Sequence, residues 1–104
     1  MDDKKFGLKD GDIDCIIKVL ATFAELDKAV FFGSRATGKF KQGSDIDIAL
    51  FTNDKSIASH IAFLLNEESL LPYKFDIIDY NTLTHPEFIE HINSNGILFF
   101  EHEK

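Results

Sequence analysis

The stretch Ser44–Phe51, SDIDIALF, alternates with a period of two. Asp45, Asp47 and Ala49 fall on one side of an extended chain, and Ile46, Ile48 and Leu50 fall on the other. The pattern predicts a β-strand with one apolar face. Its other face carries two carboxylates separated by a single residue. Like charges so placed repel, and buried charges need partners. Two readings follow. The aspartates lie on the solvent side of a half-exposed strand, where alternating polar residues are common. Alternatively, they share a divalent cation, since Mg²⁺ takes oxygen ligands and suits two carboxylates plus substrate phosphates.

A third carboxylate favours the cation. The segment Tyr73–Tyr80, YKFDIIDY, reads as another strand and offers Asp76 and Asp79. With Phe75 and Ile77 turned toward the helices, Asp76 turns the other way, toward Asp45 and Asp47. Asp79 then falls at the strand's end, in a turn or supporting role. Three carboxylates can hold two metal ions, one lowering the pKa of an attacking hydroxyl and both neutralising charge on a phosphoryl group. In-line nucleotidyl transfer is the chemistry that fits.

Ahead of the first pair stands a second feature. The apolar run KAVFF ends abruptly in Gly33-Ser34. Glycine lets backbone approach a phosphate closely, and successive N–H groups at a helix start favour anions. By itself a Gly-Ser after a strand is a weak signal, since most such pairs are ordinary turns. Arg35, Lys39 and Lys41 follow in the connecting loop and put positive charge where phosphates would lie, although a solvated loop also accounts for them. Arg35 is the strongest candidate, because a guanidinium can bind phosphate in bidentate fashion. Gly33, Ser34, Arg35 and Ser44 are thus the candidate nucleotide-binding residues, Ser44 being equally readable as the start of its strand.

The rest of the chain supplies a scaffold. Ile13, Ile16, Ile17, Leu20 and Phe23 recur at helical spacing, with Asp10 or Asp12 able to cap the start. Asn53–Ser69 carries Ile57, Ile61, Leu64 and Leu65 on one stripe and reads as a helix. HPEFIEHINSNG reads as another, with Pro86 in its first turn and Gly96 past its end. ILFF follows as a short strand or edge contact. The order is helix, strand, short helix, strand, helix, strand, helix, which predicts a small α/β domain with helices packed on a sheet. Its 104 residues suit a single domain spanning 1–104, and 11 phenylalanines predict an aromatic core.

A formal net charge of −7 argues against general nucleic-acid binding without excluding a nucleotide held through cations. One cysteine, Cys15, allows no internal disulfide, and no long apolar segment suggests a signal peptide or a membrane span, which together predict a cytoplasmic protein. His60, His85, His91 and His102 show no zinc-like clustering. Cys15 reads as a small buried hydrophobe, and Tyr73 and Tyr80 as packing residues that could also stack on a base.

Taken together, GSRATGKFKQGSDIDIAL resembles the signature of the polymerase-beta-like nucleotidyltransferase superfamily: Gly-Ser, a spacer of this length, then Asp-X-Asp. The chain is similar to its short branch, the minimal nucleotidyltransferases paired with a small helical HEPN-type protein, and FDIID matches that family's third-carboxylate strand. The resemblance implies a small mixed sheet of three or four strands. It implies Mg²⁺-dependent transfer of AMP from ATP, with two ions, to a tyrosine of the HEPN toxin, the chain acting as antitoxin. On the matching positions, Gly33 and Ser34 would hold the triphosphate and Asp45 and Asp47 both metals. Asp76 would bind one metal and act as base. A non-catalytic nucleotide-binding antitoxin module is the first alternative; nucleotidyl transfer to a small molecule is the second. So little chain follows Asp76 that a partner or second copy is expected to complete the site, with the first helix and GILFFEHEK as contact surfaces.

Overall fold

A computed structural model describes residues 4–5, 7–41 and 43–102. The described part of the terminal segment GILFFEHEK is 96–102; its last two residues lie outside the described set. Two short strands, β1 (Lys4–Lys5) and β2 (Leu8–Lys9), pair antiparallel ahead of helix α1 (Asp10–Ala21). The sequence pattern did not predict this hairpin. Strand β3 (Leu26–Phe32), the single-turn helix α2 (Ser34–Thr37) and strand β4 (Ile46–Thr52) follow. Then come helix α3 (Ile57–Phe63), a π turn (Leu64–Glu68) and strand β5 (Phe75–Asp79). Helix α4 (Pro86–Asn95) and strand β6 (Ile97–Glu101) close the order.

The main sheet has four strands in the order β5-β4-β3-β6. β4 and β5 run parallel, while β3 pairs antiparallel with both β4 and β6. Period-two alternation divides its side chains between two cores. On one face Phe31, Ile46, Ile48, Leu50 and Phe75 pack against Ile16 and Leu20 of α1, Ile57 and Ile61 of α3, and Leu65 of the π turn. Phe99 of β6 stacks on Phe31, their ring centroids 3.9 Å apart. On the other face a smaller core joins Val30, Phe32 and Ala49 to Ile92 of α4. The two central strands are buried on both sides along much of their length, which is why KAVFF reads as a continuous apolar run.

The helix ends follow local chemistry. Pro86 occupies the first turn of α4, where its missing N–H costs nothing. Helix α1 starts one residue earlier than a cap at Asp10 would place it, and three earlier than a cap at Asp12. Lys9 is the N-cap, and the Asp12 carboxylate reaches back to accept its N–H at 3.3 Å. Asp79, expected at a turn, accepts the Asn81 N–H at 3.0 Å and starts a 3-10 turn, Tyr80–Thr82. Among the described residues no helix is long and apolar enough to cross a membrane.

Candidate active site

The parallel register of β4 and β5 sets Asp47 opposite Asp76 and Ile48 opposite Ile77. Phe75 belongs to the large core and Ile77 packs against it, so Asp76 lies on the opposite face. That face also carries Asp47 and the buried Ala49. Asp45, just before β4 and two residues from Asp47, keeps the same parity. Asp45 and Asp76 are exposed and Asp47 is half-buried.

Asp47 shows the electrostatic cost. Partial burial, then the negative charges of Asp76 and Asp45, push its pKa up to about 6; Arg35 and His91 pull the other way. A carboxyl that is harder to ionise folded than unfolded opposes folding once it is charged. Its contribution to stability is therefore full below the unfolded value near 4 and is lost as pH rises through about 6. The melting temperature of the wild type, compared with that of Asp47→Asn, is expected to fall between pH 4 and pH 6 and to level off above. A constant difference across that range would show that Asp47 is not so strained.

The turn after β3 meets this carboxylate directly. Gly33 has φ 75° and ψ −155°, a conformation open in practice to glycine alone. A side-chain carbon built at Gly33 would land on the Asp47 carboxylate. The glycine thus lets the Gly33-Ser34 turn and Asp47 share one small space. The Gly33 carbonyl accepts the N–H groups of Ala36 and Thr37 at 3.2 Å each and closes the turn. The Gly33 N–H donates to His91 Nε2 at 3.3 Å, and His91 Nδ1 stands 3.2 Å from the Asn95 amide nitrogen. His91, which the sequence pattern left unassigned, thereby ties α4 to the turn. Its only signal in the sequence is its place on α4, one residue before the buried Ile92.

Arg35, the expected phosphate-facing group, is seated within the protein. It is 3% exposed and donates through Nε and Nη2 to the Ser44 carbonyl, at 3.2 and 2.8 Å. Its guanidinium lies 5.4 Å from the ring centroids of both Phe40 and Tyr73. The Ser44 hydroxyl accepts the Lys41 N–H at 2.8 Å. Arg35 and Ser44 together fold the loop that delivers Asp45, while the guanidinium acts on Asp47 through its charge. The Tyr73 hydroxyl donates to Asp12 at 2.7 Å, a bond that pushes its pKa up and anchors this cluster to α1. Beside it opens a cavity of about 640 Å³ lined by Lys9, Arg35, Phe40, Lys41 and Tyr73.

Asp45, Asp47 and Asp76 form an all-oxygen donor set, the kind a hard divalent cation takes. Among the described residues no three His, Cys, Asp or Glu side chains are drawn tightly enough together to cage a metal alone. The repulsion raising Asp47 is what a cation between the carboxylates would relieve, and phosphate oxygens would complete its coordination. The donor chemistry fits such an ion held jointly with a nucleotide.

A sheet that sets an Asp-X-Asp strand beside a third aspartate strand, with a Gly-Ser turn against the first, is a nucleotidyltransferase core. The chain belongs to the polymerase beta nucleotidyltransferase family, whose sequence profile matches residues 14–104. No curated protein sequence matches it. Its fold is shared with solved structures of toxin–antitoxin complexes. One of them, solved with AMP-PNP, has a chain that superposes with a TM-score of 0.72 at 24% identity, over 88% of this chain and 75% of that one. A second, the MntA-HepT pair, gives 0.67 at 20% identity, over 90% and 74%. A third, tri-AMPylated HEPN toxin from Shewanella oneidensis in complex with MNT antitoxin, gives 0.65 at 22% identity, over 88% and 71%.

Proposed function

We propose that this protein transfers AMP from ATP to a hydroxyl of a helical HEPN-type partner, using Mg²⁺, and that it thereby acts as an antitoxin in the cytoplasm. The observation that carries this reading is the pairing of Asp47 with Asp76 on the sheet face that also meets the Gly33-Ser34 turn. Family membership supports the reaction class. Structures of the same fold include one with AMP-PNP and one with an AMPylated HEPN toxin, which supports the nucleotide and the acceptor.

In this reading the backbone and hydroxyl of Ser34, with the close approach allowed by Gly33, hold the triphosphate. Asp45, Asp47 and Asp76 would hold two Mg²⁺ ions. When bound, these ions neutralise charge on the phosphoryl group and lower the pKa of the attacking hydroxyl. Asp76, at the exposed edge of the trio, accepts the proton of the acceptor hydroxyl. Arg35 and Ser44 fix the loop that presents Asp45, and the guanidinium offsets part of the local negative charge.

The test is incubation with labelled ATP, Mg²⁺ and the HEPN-type protein encoded beside this one. Label is expected on the partner, and Asp76→Asn is expected to slow transfer by about a hundredfold or more while nucleotide binding changes little. Equal loss of both would remove Asp76 from the role of base. Neutralisation of the partner that survives substitution of both Asp45 and Asp47 would establish a binding module instead.

A further inference from the structure

We infer that Asn66 is a positioning residue for Asp76. The inference rests on the nucleotidyl-transfer reading for its activity test and on geometry alone for its second test. β5 is an edge strand, and β4 covers only one side of it. The Ile46 N–H donates to the Lys74 carbonyl at 2.9 Å, so the backbone groups of Lys74 and Asp76 face β4. Those of Phe75, between them, face the free edge. An exposed edge of unpaired N–H and C=O groups is free to shift or fray.

Asn66 closes that edge at this one residue. Its Oδ1 accepts the Phe75 N–H at 2.8 Å, and its Nδ2 donates to the Phe75 carbonyl at 3.0 Å. The same Nδ2 donates to the Ala62 carbonyl at 3.0 Å, which roots the amide in helix α3. A side-chain amide thus imitates the next strand at Phe75, the residue before Asp76. Its place follows from the π turn Leu64–Glu68, a widening of the helix that recurs at functional sites. Ser69 stabilises the turn, its N–H donating to the Leu64 carbonyl at 2.8 Å and its hydroxyl to the Leu65 carbonyl at 2.6 Å. Asn66 itself is exposed, and asparagine is a poor helix former, so neither burial nor propensity explains it there. What it does is fix the backbone between the strand's first core residue and its carboxylate.

The experiment compares Asn66→Ala and Asn66→Asp with wild type in transfer of label from ATP to the HEPN-type partner. Asn66→Ala is expected to lower kcat about tenfold, with KM for ATP within twofold and a cooperative melt retained. Asn66→Asp keeps the acceptor for the Phe75 N–H and loses both donors, so an intermediate kcat is expected. In an Asp76→Asn background, Asn66→Ala should cost little more, because the two act as one unit. A full additional tenfold loss there, or an unchanged kcat in the single variant, overturns the inference. The second test needs no activity: in Asn66→Ala the backbone amide of Asp76 is expected to exchange with solvent at least about fivefold faster than in wild type, while that of Ile48 is unchanged. Equal acceleration at both amides, or at neither, also overturns it. Absence of transfer in wild type with selective acceleration at Asp76 would sink the proposed reaction and leave the clamp standing.

Discussion

Asp47→Asn is expected to reduce nucleotide transfer by roughly 10³-fold while making the free protein more stable at neutral pH. Both effects have one source. Asp47 is the only member of the trio that is half-buried, and the other two carboxylates bear on it, which is why its pKa is pushed up to about 6. Asparagine has nearly the same shape and no charge. It removes the charge whose partial burial and repulsion oppose folding above pH 6, and removes the group that would share both cations. Labelled-ATP transfer and thermal melting at pH 7.5 measure the two effects on the same preparation. A variant that loses activity and also melts lower would mean that Asp47 is held by favourable contacts, and the account of a strained carboxylate would be wrong. Wild type is also expected to gain more stability than the variant from Mg²⁺ with a non-hydrolysable ATP analogue, since ligand binding to the folded state adds to stability by mass action.

Gly33→Ala is the second large effect. The residue sits at φ 75°, where a β-carbon is strained, and that carbon would occupy the place of the Asp47 carboxylate. Backbone strain of this kind costs about 1–3 kcal/mol. The turn must also shift, or Asp47 must rotate away, and either movement separates the turn proposed to hold the triphosphate from the carboxylates. Transfer is expected to fall about a hundredfold or more, with KM for ATP raised, because geometry lost at the reacting centre is costly even for displacements near 1 Å. Gly38→Ala is the comparison. Gly38 has φ 82° but open space around it, so strain acts there without a clash. If the two variants lose activity equally, close approach to Asp47 is not what Gly33 provides.

Much of this arrangement was legible in the sequence because it rests on period-two alternation. In SDIDIALF the three apolar positions entered one core and the two aspartates stayed off it. In FDIID, burial of Phe75 alone decides where Asp76 points. Asp79 at a turn and Gly96 past a helix end followed from local chemistry. What escaped depends on contacts between distant segments. Asn66 bonds a backbone nine residues away across a crossover. His91 reaches a glycine 58 residues earlier because α4 folds back over β3. Neither bond leaves a periodic trace. The seat of Arg35 escaped for a related reason. Its charge and loop position suggested a phosphate contact, but Phe40, Tyr73 and the Ser44 carbonyl form a seat that only the folded chain assembles. The hairpin β1–β2 was missed because strands of two residues are too short to show alternation.

The parallel junction of β4 and β5 makes the core a proofreader of the chemistry. A slip of β5 by one residue would turn Phe75 and Ile77 out to water and drive Asp76 into the aliphatic layer over α1 and α3. Such a misaligned chain would lose its packing before it could present a wrong constellation of acids. Quality control by ordinary hydrophobic collapse therefore guards the proposed catalytic pairing as well, and a molecule that folds at all emerges with its acidic pair already in step.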